Sequence, residues 1–368
     1  MVGIQNMSSH SPTGRVLVVI PCLNEEQHIE QVVSHLAAEA ERLDLRIVVA
    51  DGGSTDQTRA IVERLSTNCR VVLMINSGRI QATGINDAVS KYGKDARFLI
   101  RVDAHASYPE NYCETLLNVQ SRTLADSVVV SMLTEGFTCI QRAVAAAQNS
   151  ILGNGGSAHR NQTADRWVDH GHHALIKMDA FKAIGGYDDT FSHNEDAELD
   201  NRLTDAGFRI FLTAEVQVIY YPRGSVTGVF QQYFNIGRGR ARNFLKHPKR
   251  AKLRHLVLGL VAPAICLMLL TPLMHIFAVP AATWALACIT YGLMLGMRLR
   301  DPCAMASGVA AMAMQAGWSF GFFRGLLSNL SAKPMADNER RTQSCNTEPN
   351  STSQKELYIN GSDTKVTS

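Results

Sequence analysis

Residues 16–40, VLVVIPCLNEEQHIEQVVSHLAAEA, open on an apolar run and then change period. No polar residue interrupts 16–20, so the run reads as a strand covered on both faces. From Ile29 onward the apolar positions are Ile29, Val32, Val33, Leu36, Ala37 and Ala40. That is the i, i+3, i+4, i+7 spacing of a helix laid on a sheet. Between the two, Asn24 stands where an N-cap is expected, and Gln27 three residues on completes a capping box.

The unit repeats. Residues 45–50 read as a second strand, Ser54 with Gln57 as a second capping box, and a helix follows through Leu65. A third strand over 70–75, a third helix over 80–92 and a fourth strand over 97–102 continue the pattern. Alternating strands and helices with continuously apolar strands predict an α/β fold: a Rossmann-like, mainly parallel sheet with helices on both faces. In such sheets ligands bind at the carboxyl ends of the strands. Those ends carry PCLNEE (21–26), DGGSTD (51–56), NSGR (76–79) and DAH (103–105), which converge on one rim. The glycines after Asp51 permit a sharp turn and close approach to a ligand. No G-x-G-x-x-G follows any strand and no Walker-type loop is present, which counts against a dinucleotide cofactor.

The chain has 368 residues, enough for about two domains. Charged and apolar stretches alternate up to residue 254, whereas 256–323 is almost free of charge. The expected organisation is a disordered N-terminus over 1–14, a catalytic-type domain over 15–250, a membrane domain of two to three helices over 255–328, and a disordered tail over 329–368. Segments 256–277, 279–297 and 303–323 are the candidate spans, with Pro263 and Pro272 expected to kink the first. Net charge is only +3, but Arg238, Arg240, Arg242, Lys246, Lys249, Arg250, Lys252 and Arg254 crowd together with no acid among them. A basic run before an apolar block suits anionic headgroups and places the preceding domain in the cytosol, with Arg298 and Arg300 on the same side as Arg254. The polar first fourteen residues carry no secretory signal. Eight scattered cysteines without a Cys-x-x-Cys pair indicate neither a zinc ribbon nor a disulfide framework, and a reduced compartment is expected.

Taken in order, the strand-end motifs resemble those of the family 2 glycosyltransferases, inverting enzymes of the GT-A fold that use nucleotide-diphosphate sugars. The resemblance runs from about residue 15 to 207. Pro21, Asn24 and Glu25 lie in a stretch similar to the family's opening strand-to-helix turn. ADGGSTDQT (50–58) is similar to its second strand end, which implies that Asp51, with Gly53 beside it, binds the uracil. NSGRIQATGIND (76–87) implies Arg79 near the diphosphate. DAH stands where the family has its Asp-x-Asp metal motif, so the resemblance implies a divalent cation, Mn²⁺ or Mg²⁺, at Asp103 and His105. An imidazole in place of the second carboxylate shifts the preference toward Mn²⁺. The alternative is that His105 bonds a neighbour while Asp103 alone holds the ion.

HNEDAELDNRLTDAG (193–207) resembles the Glu-Asp motif that carries the general base, here Glu195 and Asp196. Asn194 reads as the cap of a helix with Leu199 and Leu203 on its apolar stripe and Gly207 as its stop. Asp196 then lies in the first turn, where the helix dipole favours its ionised form and the taking of a proton from an acceptor hydroxyl. The glycines of ILGNGGSAHR (151–160) suit a loop that closes on the sugar. His170 and His172, on one face if WVDHGHHALIK (167–177) is a strand, read as acceptor contacts or satisfied polar groups rather than a second metal site.

GNGGSAHR, DHGHHALIK, IGGYDDTF (184–191) and FQQYFNIGRGRAR (230–242) look like the bacterial succinoglycan-type exopolysaccharide glucosyltransferases. The resemblance implies Gln232 and Arg238 as acceptor contacts. No tryptophan follows the glutamines as in processive synthases, so a single addition is expected. The implied activity moves a hexose, glucose, from UDP-glucose to a lipid-linked saccharide at the cytosolic face of the inner membrane, with other polysaccharide-assembly enzymes as partners and no nucleic acid. The alternatives are a polyprenyl-phosphate hexosyltransferase and a non-catalytic assembly component that binds nucleotide sugar.

Overall fold

The computed structural model describes residues 15–40, 42–66, 70–155, 164–250 and 253–331. The expected disorder at 1–14 and from 332 onward, and most of the GNGGSAHR loop, lie outside these residues. Met1–Leu327 form one unit.

The strands are β1 Arg15–Cys22, β2 Leu45–Asp51, β3 Val71–Ile75, β4 Ala96–Arg101, β5 Ala106–Ser107, β6 Ser127–Thr134, β7 Arg166–Val168, β8 His172–Lys177 and β9 Ile210–Tyr220. Their order in the sheet is β3-β2-β1-β4-β8-β6-β9-β5, with β7 paired to β9. The first four are all parallel, as the repeating strand–helix unit predicts. Val18 pairs with Ile47 on one side and Ile100 on the other. β8 then runs antiparallel to both β4 and β6, so the sheet is mixed.

Period-two alternation explains the unbroken apolar strands. Val16, Val18 and Ile20 enter one core with the helices Ile29–Ala40 and Tyr112–Thr123, whereas Leu17 and Val19 enter the other with Gln81–Tyr92 and Glu195–Asp205. The stripe read from sequence is the buried one: Ile29, Val33 and Leu36 are fully enclosed, each worth about 1.5–3 kcal/mol of burial.

Neither capping box near the rim forms. Asn24 adopts a left-handed φ of 56° and its Oδ1 accepts the Thr55 N–H at 2.8 Å, while its own N–H donates to Ser54 Oγ at 2.9 Å. Ser54 is thereby used to join the two loops, and Asp56 Oδ1 takes the Thr58 N–H at 3.0 Å instead. Asn194 is likewise left-handed, with no side-chain cap, and its amide donates to Ile236 O at 2.6 Å. Gly207, at φ +84°, ends that helix as expected.

Two stretches are long and apolar enough to cross a membrane, Leu253–Leu270 and His275–Leu299. Leu269, Leu273, Ile276, Leu286 and Met297 on and between them are exposed, so they are not core helices. The third expected segment belongs to the helix Ser307–Ser331, which lies along the helix Val226–Lys246. Its glycines permit backbone contact: a Cβ at Gly317 would sit 2.5 Å from Phe230 O, and one at Gly321 would sit 2.0 Å from Phe234 O. Packing therefore runs across the boundary expected near residue 250. A disulfide joins Cys139 to Cys303, although no disulfide framework is indicated by the sequence. Their separation of 164 residues gives no spacing signal to read.

Part of the basic run finds partners within the fold. Its acids come from elsewhere in the chain: Lys246 pairs with Asp188 and Glu198, both at 2.7 Å, and Arg250 with Asp205. Arg242 donates to Thr190 O and covers the Phe191 ring. Arg242, Lys246 and Arg250 thereby brace the fold.

Candidate active site

The carboxyl ends of β1 to β4 meet the start of the Glu195–Asp205 helix around a cavity of about 930 Å³. Because β8 is antiparallel to β4, its amino end brings His172 beside the residues that follow Ile100. In FLIRVDAH, Leu99 faces the core that contains Leu199 and Leu203, and by the same alternation Arg101 and Asp103 point toward that helix.

Arg101 organises the rim. Its side chain is only 7% exposed, and it reaches Asp196 through Nη1 and Asp103 Oδ1 through Nη2 at 3.2 Å. Nη2 also donates to Gln81 Oε1 at 3.1 Å, while Nε is buried without a partner. Tyr187 Oη donates to the same Asp196 Oδ1 at 3.0 Å. Among the described residues no hydrogen-bond partner reaches Asp196 Oδ2. Burial pushes the Asp196 carboxyl up, but Arg101, then His173 and His172, pull it below the ordinary range. Burial and the Asp196 charge push neighbouring Glu195 the other way. The pair thus divides into a carboxylate and a carboxyl held neutral to higher pH.

Asp103 is also held well below the ordinary range: burial opposes ionisation, and Arg101, His172 and His105 outweigh it. His172 Nε2 lies 3.6 Å from Asp103 Oδ2. His105 donates or accepts through Nδ1 at 3.0 Å from Glu25 Oε1, the neighbour bond expected as its alternative role. That bond comes first among the causes that raise the His105 pKa. Among the described residues no group of three or more His, Cys, Asp or Glu is disposed to hold a metal ion alone. One carboxylate flanked by imidazoles nonetheless suits a Mn²⁺ ion that takes its other ligands from diphosphate and water.

Of the residues predicted from sequence, the cavity gathers Pro21, Glu25, Arg79 and Asp103 from the sheet, with His105, Glu195, Asp196 and Gln232 around them. Asn24, Asp51, Gly53 and Arg238 are not among its lining residues. Asp51 is fully buried and spent on its own turn, accepting from Gly53 N at 3.0 Å, Ser54 N at 3.1 Å and Arg59 Nε at 2.6 Å. Gly53, at φ +99°, lies under the Arg79 guanidinium, and Gly52 is what the turn presents to the cavity. Gln232 donates to Tyr220 Oη at 2.8 Å and leaves a buried Oε1 without a partner.

Sequence reasoning gave no role to Arg101, Tyr187, Gln81 or Arg223. Arg101 carried a readable signal, a charge inside an apolar strand. Arg223 lies exposed at the rim with no ion-pair partner among the described residues, and nothing in its spacing marks it. His170 is a satisfied polar group, as expected, bonded to Asp200 at 2.6 Å; His173 lies 2.8 Å from the other Asp200 oxygen without hydrogen-bond alignment.

The profile described as glycosyl transferase family 2 matches residues 17–185. The chain is 50% identical over 312 residues to the succinoglycan biosynthesis protein ExoA of Rhizobium meliloti (strain 1021), covering 84% of this chain and 94% of that protein. It is 22% identical, over 85% of this chain and 97% of the other, to a dolichyl N-acetyl-alpha-D-glucosaminyl phosphate 3-beta-D-2,3-diacetamido-2,3-dideoxy-beta-D-glucuronosyltransferase of Methanococcus voltae. Among solved structures, the mannosyltransferase PcManGT of Pyrobaculum calidifontis, in complex with GDP-Man and Mn²⁺, superposes with a TM-score of 0.55 at 18% identity, covering 86% of this chain and 88% of that one. With a family model matched over 17–185, a relative half-identical over most of both chains and the fold shared with a solved glycosyltransferase, this protein belongs to the family 2 glycosyltransferases, with the GT-A fold.

Proposed function

We propose that the enzyme transfers a hexose, glucose, from UDP-glucose to a lipid-linked saccharide in exopolysaccharide assembly, beside other assembly enzymes at the cytosolic face of the inner membrane. The observation that carries this reading is the single guanidinium, Arg101, that touches both Asp103 and Asp196. The donor-side acid and the base are thereby held across one cavity large enough for a nucleotide sugar and an acceptor. Identity to a succinoglycan biosynthesis protein supports the pathway class, and the exposed apolar faces of Leu253–Leu270 and His275–Leu299 support membrane attachment. The archaeal relative's name describes action on a sugar already attached to dolichyl phosphate, which favours a lipid-linked saccharide over bare polyprenyl phosphate. Enzyme-family membership removes the non-catalytic alternative.

In the reaction Asp196 Oδ2 accepts the proton of the acceptor hydroxyl while Arg101 and Tyr187 hold Oδ1. The acceptor oxygen attacks the anomeric carbon opposite the diphosphate, and configuration inverts. Arg79 and Arg223 at the rim meet the diphosphate's negative charge. Asp103 with His172 or His105 would hold Mn²⁺ or Mg²⁺, which supplies positive charge to the leaving diphosphate. Asp51 keeps the turn that brings Gly52 to the nucleotide.

Asp196→Asn should lower transfer about 10²–10⁴-fold, the usual worth of a general base, and leave UDP affinity in the presence of Mn²⁺ nearly unchanged by calorimetry. Turnover like that of the unaltered enzyme would remove Asp196 from the role.

A further inference from the structure

A second large cavity, about 850 Å³, lies between the catalytic residues and the apolar helices. Val257, Val261, Trp284, Tyr291, Met314 and Trp318 make most of its wall apolar. One end is different, because Arg240, Arg254 and His255 converge there. It shares His170, Tyr233 and Ile236 with the catalytic cavity, so these side chains form a common partition.

Arg240 has no ion-pair partner among the described residues, and its Nε is buried without a hydrogen bond. Arg250, also near, is already paired with Asp205, and Arg254 Nη1 donates to Gly155 O at 3.3 Å. Asp169 is the carboxylate of this neighbourhood and stands near Arg254. Burial first, and then the Arg254 charge, push Arg240 down to about 10. A guanidinium kept cationic there at neutral pH lacks the anion that normally compensates a buried charge. Among the described residues no carboxylate pairs with Arg240, and a ligand must be amphiphilic to satisfy both ends of the cavity.

We infer that this cavity holds the lipid of the acceptor, its phosphate or diphosphate on Arg240 and Arg254 and its hydrocarbon along Val257, Val261, Met314 and Trp318. The inference rests on the lipid-linked acceptor proposed above and assigns that acceptor its place. The saccharide then extends past Tyr233 and Ile236 toward Asp196, and the tail leaves between the helices that carry the exposed apolar faces.

Binding of farnesyl diphosphate to the full-length detergent-solubilised protein tests this without relying on transfer. It should bind, farnesol should bind far more weakly, and Arg240→Gln should weaken the diphosphate about tenfold or more while UDP affinity stays the same. Arg240→Lys, which keeps the charge, should recover part of the affinity and so separates lost charge from a misfolded site. Equal affinity in the Gln variant would overturn the assignment. So would displacement of farnesyl diphosphate by phosphatidylglycerol at equal concentration, which would make the cavity a site for bulk membrane lipid. Failure of the unaltered enzyme to glycosylate any lipid-linked saccharide, with farnesyl diphosphate binding intact, would instead strike the functional proposal.

Discussion

Arg101 sets the charge state of two acids with different tasks. Its planar fork reaches Asp103 and Asp196 from opposite edges, a geometry that a lysine ammonium cannot reproduce. Arg101→Lys should therefore keep the cation but lose one contact, lowering kcat by about tenfold or more. The sign of the pH effect follows from the electrostatics. The guanidinium charge holds the Asp196 carboxyl below its ordinary range, so Arg101→Gln, which removes that charge, raises the pKa and protonates the base at higher pH. The acidic limb of the pH–rate profile should move to higher pH, with KM for the nucleotide sugar little changed. An unmoved limb would mean that Arg101 only supports the loop.

At the scale of elements, β8 and the Glu195–Asp205 helix are pinned to each other through Asp200. His170 Nδ1 and His173 Nε2 approach its two oxygens, the second at 2.8 Å though outside hydrogen-bond alignment, and Gly171 N adds 3.3 Å. Burial would raise Asp200, but His173 and His170 carry it from 3.8 down to about 2. A carboxyl depressed by folding stabilises above its ordinary pKa, and the contribution disappears as pH falls from about 4 toward 2. Asp200→Asn, which leaves buried imidazoles against a neutral amide, should cost about 3–5 kcal/mol near neutral pH, read as a lower Tm in detergent, and the difference should shrink in acid. The pinning also shows where sequence reading stops. The four parallel strands, the Gln81–Tyr92 helix and the first-turn place of Asp196 followed from periodicity, because each depends on neighbours within one or two turns. The direction of β8 did not, since HHALIK carries no mark of which strands flank it. Asn24 and Ser54 failed as caps for a related reason: their partners lie across to the adjoining loop, about 30 residues away. Lys246 looked unpaired because Asp188 and Glu198 are remote in sequence.

Over the whole molecule, the Cys139–Cys303 bond and the adjacent Arg142–Asp301 ion pair at 2.8 Å tie the catalytic layers to the turn before Ser307–Ser331. A crosslink that closes so long a loop is worth about 2–5 kcal/mol. Cys303→Ser, or dithiothreitol acting on the exposed Cys139, should lower Tm while leaving UDP affinity unchanged; an identical Tm would show that packing alone holds the turn. In the cytosolic setting proposed above, the glutathione pool would keep the pair as thiols, so the reduced protein's Tm is the one relevant there. In the membrane setting proposed above, the same tie would govern how the chain meets a bilayer. The start of Leu253–Leu270 and the turn after His275–Leu299 both return to the catalytic unit, so in that setting the two stretches would enter and leave by one side. As one straight α-helix the eighteen residues of Leu253–Leu270 would reach about 27 Å, against a hydrocarbon core of about 30 Å. With the membrane placed as proposed above, an impermeant label or a protease added from outside the cell should find little more than 271–274 to attack, and an enzyme crossing twice would look, from that side, almost as if it were not there.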